Sequence, residues 1–107
     1  MMTDGLFLVF FVHEKDRLHG QPAFEWLLAQ ARALGVGGGS AFRAVAGFGR
    51  HGRLHEDRFF ELAGEMAIQV EFLVSRDQAD LLLKLVGEAK GTFPFMEMPC
   101  RFGVTGS

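Results

Sequence analysis

The chain has 107 residues, 49% hydrophobic and 22% charged, which is one domain's worth of material and excludes a disordered polymer. Eleven Lys and Arg against 13 Asp and Glu leave a net charge of −2, which excludes the basic field of a nucleic-acid or anionic-membrane binder. A single cysteine, Cys100, excludes an intramolecular disulfide and suits a reducing compartment.

Leu6 to Val12 reads as a strand rich in Phe and Val, apolar on both alternating faces. This longest apolar run is seven residues, against about 20 for a membrane span, so no membrane insertion is expected. Asp4 stands where a signal peptide would carry basic residues, so the cytoplasm is the expected location. The polar stretch His13 to Gln21 reads as a loop. A helix then opens with Pro22 in its first turn and closes at Gly35. Its apolar stripe is Phe24, Leu27, Leu28, Ala31 and Leu34, with Trp26 off the stripe.

Gly35 to Gly39 is a glycine-rich turn, followed by a second strand from Ser40 to Phe48 with Phe42, Ala44, Ala46 and Phe48 on one side. Gly49 to Arg58 is rich in Gly, Arg and His, a loop long enough to carry function. Residues 58–66 fit a helix by spacing and a strand by length. Ala67 to Val74 alternates Ile68, Val70, Phe72 and Val74 against Gln69 and Glu71, a clear strand. Ser75 and Gln78 have capping-box spacing, and the helix they open runs to about Lys90, with Ala79, Leu82, Leu83 and Val86 inward. Thr92 to Met98 is a last strand, placed at a sheet edge by Pro94, and Arg101 to Ser107 is a short tail or one further strand.

The order β-α-β-β-α-β is the split plan of an α+β, ferredoxin-like domain spanning 1–107, a four-stranded antiparallel sheet with two helices on one face. Twelve Phe, 1 Trp and 5 Met are a heavy apolar load for this size. Two helices cover one sheet face, so the other face needs a cover, and another copy of the chain is the expected one.

Gly47-Phe48-Gly49-Arg50-His51-Gly52 matches G-x-G-x-x-G. Such glycines let backbone N–H groups approach phosphates, and Arg50 adds a charged donor. A Rossmann unit needs further strands that 107 residues do not supply, and a glycine bend in a hairpin explains the pattern equally well. Arg43 interrupts an apolar strand and needs a partner, Glu71 on the next strand or a ligand. His51 and His55, with Cys100, make a possible soft-ligand set for a divalent metal, although Gly52 between the histidines argues against a shared helical face. His13 to Arg17 reads as a solvated turn, with Asp16, Arg17 and His19 available to the rim of a cleft. No arrangement of nucleophile and base supports catalysis, so an enzyme is not expected.

Gly47-Phe48-Gly49-Arg50 resembles the start of the T-loop of PII signalling proteins, Val70 to Val74 their third strand, and Gly87 to Phe93 their second phosphate-contacting loop. A closer likeness is to the PII-like family called domain of unknown function 190. It is carried by His19-Gly20-Gln21-Pro22, Gly38 to Arg43, Gly47-Phe48-Gly49 and His55. The resemblance implies a homotrimeric regulator that binds an adenine nucleotide between subunits. It also implies a T-loop-like segment, 49–58, that signals to a target protein, for which a membrane transporter is one candidate. It places Gly47, Gly49, Arg50, Gly87 and Lys90 at the ligand and, more loosely, Arg101 beside them; Phe48 within the same loop and Arg43, by its charge, join them as candidate ligand-binding residues. Ala89 departs from the glycine found there in PII proteins, and the absence of Tyr excludes control by a modified T-loop tyrosine. A metal-responsive binding protein built on His51 and His55 is the alternative reading, and a plain structural trimer a third.

Overall fold

A computed structural model describes residues 2–48 and 66–106. The first strand, β1, is Met2–His13, and a two-residue ladder of β2 (Arg17–Leu18) with β3 (Gln21–Pro22) follows it. Helix α1 is Ala23–Ala33, β4 is Gly39–Arg43, β5 is Ala67–Val74, α2 is Arg76–Glu88 and β6 is Phe95–Gly103. The main sheet is antiparallel in the order β4-β5-β1-β6, the ferredoxin-like arrangement expected from the element order.

Period-two alternation decides which side chains meet the helices. Leu6, Leu8, Phe10 and Val12 of β1 stand opposite Val74, Phe72, Val70 and Ile68 of β5, and all eight are buried. Ala23, Trp26, Leu27 and Ala31 of α1 and Ala79, Leu82 and Val86 of α2 close over them. The rings of Phe10 and Phe72 meet edge-on at 6.4 Å, at the centre of this core. Truncating either ring to Ala would cost about 3–5 kcal/mol.

Several boundaries differ from those read along the chain. The first strand extends beyond Leu6–Val12 because Met2 to Gly5 pair with Gly103 to Cys100, and the same pairing carries the last strand through Arg101 to Gly103. β6 is an edge strand, as Pro94 implied, and Pro99 is accommodated within it for the same reason. Residues 13–21 contain a small hairpin whose turn residues, His19 and Gly20, both have positive φ (50° and 78°). Pro22 is the N-cap of α1 rather than part of its first turn. Trp26 is buried, not off the stripe, because the β2–β3 hairpin covers that side of α1 and the His19 ring lies 5.8 Å from the indole.

The second strand stops at Arg43. Arg43 stands opposite Ile68, and the Ala44 N–H donates to the carbonyl of Ala67, the first residue of β5. Alternation continues to Phe48, but residues 45–48 lie past the end of the partner strand. The ambiguous stretch 58–66 lies outside the described residues except for Met66. The capping box forms as its spacing required: the Gln78 N–H donates to Ser75 Oγ at 3.1 Å and the Ser75 N–H to Gln78 Oε1 at 3.0 Å.

The sheet face away from the helices carries Phe7, Val9 and Phe11 of β1, Gln69, Glu71 and Leu73 of β5, Phe42 of β4 and Met96, Met98, Cys100 and Phe102 of β6. Phe42 is 53% exposed, Met98 47% and Leu73 46%, so the apolar load reaches solvent where two helices cannot cover it.

Candidate functional site

Residues named from the sequence gather at the two ends of the sheet. At one end lie His13, Arg43, Ala67 and Phe95. Gly47 and Phe48 follow Arg43 there, Phe48 being 72% exposed, and the turn carrying Gly87 and Lys90 enters β6 at the same end. At the opposite end lie Gly39, Leu6 and Gly103, with Arg101 opposite Asp4. Six positions of β6 separate Phe95 from Arg101, so the two ends are roughly 20 Å apart.

Helix α2 ends in a Schellman motif: the Gly91 N–H donates to the Val86 carbonyl at 2.9 Å and the Lys90 N–H to the Gly87 carbonyl at 3.0 Å. The residue at the left-handed position is Lys90, with φ +62°. A side chain there is unfavourable by about 1–2 kcal/mol, and glycine is the usual occupant. Gly91 cannot trade places with it, because a Cβ on Gly91 would come within 2.9 Å of both Val86 Cγ1 and Phe93 Cε2. Ala89, the departure from the PII pattern, packs its methyl against the core, with φ −80°. It needs no glycine. Gly87 has open space beyond its Cα, so packing alone does not require it.

At the other end, the glycine run borders a cavity of about 820 Å³ on the uncovered sheet face. Phe7, Leu73, Phe102 and Val104 supply apolar walls, and Thr3, Ser40 and Glu71 supply polar groups. The Gln69 side-chain amide donates to the Glu71 carboxylate and holds it in place. This volume falls in the usual range of small-molecule sites. Gly37 and Gly38 meet nothing within 4 Å of an added Cβ, whereas Gly39 is forced by Phe72, whose Cε1 would lie 2.5 Å away. Along the chain the glycine run reads as a turn only. Two glycines with no packing demand on them are the signal that a turn does not explain. Arg101 is exposed at this end but does not line the cavity.

Arg43 does not pair with Glu71. The two side chains leave opposite faces of the sheet, since Ser40 stands opposite Glu71 while Arg43 stands opposite Ile68 three residues later. Arg43 pairs with Glu14 instead. Asp16 and Arg17 brace the turn as a solvated turn would: Asp16 Oδ2 accepts the His13 N–H at 2.8 Å, and Arg17 Nη2 donates to the Gly20 carbonyl at 2.7 Å.

Gly49, Arg50, His51 and His55 lie outside the described residues. Cys100 is a free, half-buried thiol on the uncovered face, and among the described residues no group of three His, Cys, Asp or Glu side chains could hold a metal ion. Among them, too, no helix is long and apolar enough to cross a membrane. Among the described residues the acidity of Arg76 alone is clearly shifted, raised chiefly by its 2.9 Å hydrogen bond to Glu97 across to β6.

Comparison with known proteins places this geometry in context. The DUF190 family model, described as Uncharacterized ACR, COG1993, matches residues 5–93. A UPF0166 protein of Aquifex aeolicus (strain VF5) is 29% identical over 81 residues, 76% of this chain and 74% of that protein. Among solved structures, CPII of Thiomonas intermedia K12, a nitrogen regulatory PII-like protein bound to ADP, AMP and bicarbonate, superposes with TM-score 0.65 at 13% identity. That match covers 97% of this chain and 98% of CPII. A protein of Thermus thermophilus described as PII-like and signalling gives TM-score 0.57 at 12% identity, covering 94% of this chain and 89% of that one. These structural likenesses establish a shared fold.

Proposed function

The chain belongs to the DUF190 family, and from that premise we propose a PII-like regulatory protein: a homotrimer binding an adenine nucleotide in clefts between its subunits. The observation that carries the reading is the division of the site. The cavity beside Gly37 and Gly38 opens at one end of the sheet, and the strained Lys90 turn with Gly47 stands at the other. Among the described residues no Lys or Arg lines the cavity, and Lys90 stands away from it. A cyclic assembly that joins unlike ends supplies both cavity and lysine in each cleft and buries the uncovered face.

In each cleft the base and sugar occupy the cavity of one copy, with Glu71 accepting from sugar hydroxyls. Gly47, Phe48, Gly49, Arg50, Gly87 and Lys90 of the next copy surround the phosphates, and Arg43 and Arg101 add positive charge at the rims. CPII, which shares the fold, was solved with ADP and AMP, and this supports the ligand class. Segment 49–58 then presents a surface whose state depends on the cleft, read by a target protein such as a membrane transporter in the cytoplasm. The protein does no chemistry in this reading.

Calorimetric titration with ATP, ADP and AMP, with and without Mg²⁺, tests it. Saturable micromolar heats are expected for at least one of them. Flat traces to millimolar concentration for all three, or a monomer by sedimentation at micromolar concentration, overturn the reading.

A further inference from the structure

Glu14, the residue after β1, makes two contacts across the sheet end. Its backbone N–H donates to the Met66 carbonyl at 2.8 Å, and its carboxylate pairs with Arg43. Met66 leads into β5 and Arg43 ends β4, so Glu14 touches the chain on both sides of residues 44–65. The two partners differ in exposure: the Arg43 side chain is 61% exposed and that of Glu14 only 20%. Most of the Arg43 side chain is therefore open to solvent while the pair is intact. A guanidinium has five N–H donors, and one carboxylate engages at most two of them in a planar fork. An incoming anion can reach Arg43 before Glu14 lets go, but it meets a cation already half-neutralised.

We infer that Glu14 is the internal counter-ion that sets how tightly this end of the molecule takes a phosphate group. The phosphate and the Glu14 carboxylate compete for the Arg43 guanidinium, so the carboxylate lowers the affinity for charged ligands and leaves the uncharged part of a ligand untouched. The inference rests on the nucleotide reading and assigns Glu14 as a positioning residue, acting through Arg43. The backbone bond from Glu14 to Met66 does not depend on the carboxylate, which makes Glu14→Gln a clean removal of charge.

The test is calorimetric titration of ADP and of adenosine into wild type, Glu14→Gln, Arg43→Ala and the double variant. Glu14→Gln is expected to tighten ADP by about two- to fivefold, the scale of an exposed ion pair. Adenosine affinity stays unchanged, and the gain for ADP disappears in the Arg43→Ala background. An ADP affinity unaltered or weakened by Glu14→Gln overturns the inference, as does an equal gain without Arg43 or an equal gain for adenosine. A wild type that ignores ADP overturns the nucleotide reading and this inference together, whereas a wild type that binds ADP without the Glu14→Gln gain overturns this inference alone.

Discussion

The two helices end in the same motif with different residues in the same place. At the end of α1, Val36 N–H donates to the Ala31 carbonyl at 3.0 Å and Gly35 N–H to the Arg32 carbonyl at 3.1 Å; at the end of α2, Gly91 and Lys90 make the matching pair to Val86 and Gly87. Gly35 has φ +84° and Lys90 φ +62°. In α1 the left-handed position is filled by the residue that adopts it without steric cost. In α2 it is filled by a long, charged residue that does not. Folding alone would favour glycine at both ends. The difference is consistent with the proposed role of the Lys90 side chain at the ligand, since backbone strain at a non-glycine residue points toward a function rather than toward stability.

Replacing the lysine separates the two roles. Lys90→Gly removes the proposed charge-assisted phosphate contact, worth about 1.5–3 kcal/mol, so nucleotide affinity should fall by roughly ten- to a hundredfold in calorimetry. The same substitution relieves about 1–2 kcal/mol of backbone strain, less the roughly 0.5–1 kcal/mol of chain entropy that glycine brings. Its melting temperature should therefore rise by about 3 °C. Gly35→Lys runs the comparison backwards. An added Cβ at Gly35 meets nothing within 4 Å, so the cost is the backbone's alone and the melting temperature should drop by a similar few degrees. A Gly35→Lys variant as stable as wild type would show that the left-handed position carries no strain here, and Lys90 would lose its special standing.

The smallest effect lies at the other end of α2, where Arg76 bridges Glu97 at 2.9 Å and Asp80 at 3.6 Å. A raised arginine contributes stability that is complete below its unfolded-state value and lost only as pH climbs through the folded one. That window is far into the alkaline range. Glu97→Gln removes a solvent-screened pair and should lower the melting temperature only marginally. Arg76's own titration should leave the pH dependence between pH 6 and 9 unaltered, which denaturant melts at several pH values would check.

The same contrast explains what is legible in the residues and what is not. Alternation in Ile68–Val74 and the Ser75–Gln78 box are local patterns, and both elements form where their residues say they should. Lys90 stands out in sequence only through a resemblance, and its positive φ, shared among the described non-glycine residues with His19, has no signature in the residue types. Strand lengths escape a local pattern because they depend on the partner: β1 runs back to Met2 since β6 reaches Gly103, and β4 stops at Arg43 since β5 starts at Ala67. Trp26 falls off the helical stripe, and the hairpin that buries it is a tertiary fact. Strand adjacency suggests Glu71 as the partner of Arg43, but an odd-numbered offset puts the two on opposite faces. The cavity stays hidden because its walls come from three strands and the glycine run, distant in sequence and joined only by the sheet.

The central claim is that one ligand site is divided between two copies, and mixing two defective chains tests it directly. Lys90→Ala damages one end; Gly38→Trp fills the cavity at the other, where an added side chain meets open space. Each variant alone should lose wild-type ADP affinity, by roughly tenfold or more for Lys90→Ala. Co-refolded in equal amounts, they should recover about a quarter of the wild-type capacity, since random cyclic mixing places an undamaged end beside an undamaged end in about that share of clefts. No recovery in mixed trimers would contradict the account and place both damaged residues of a site on one copy.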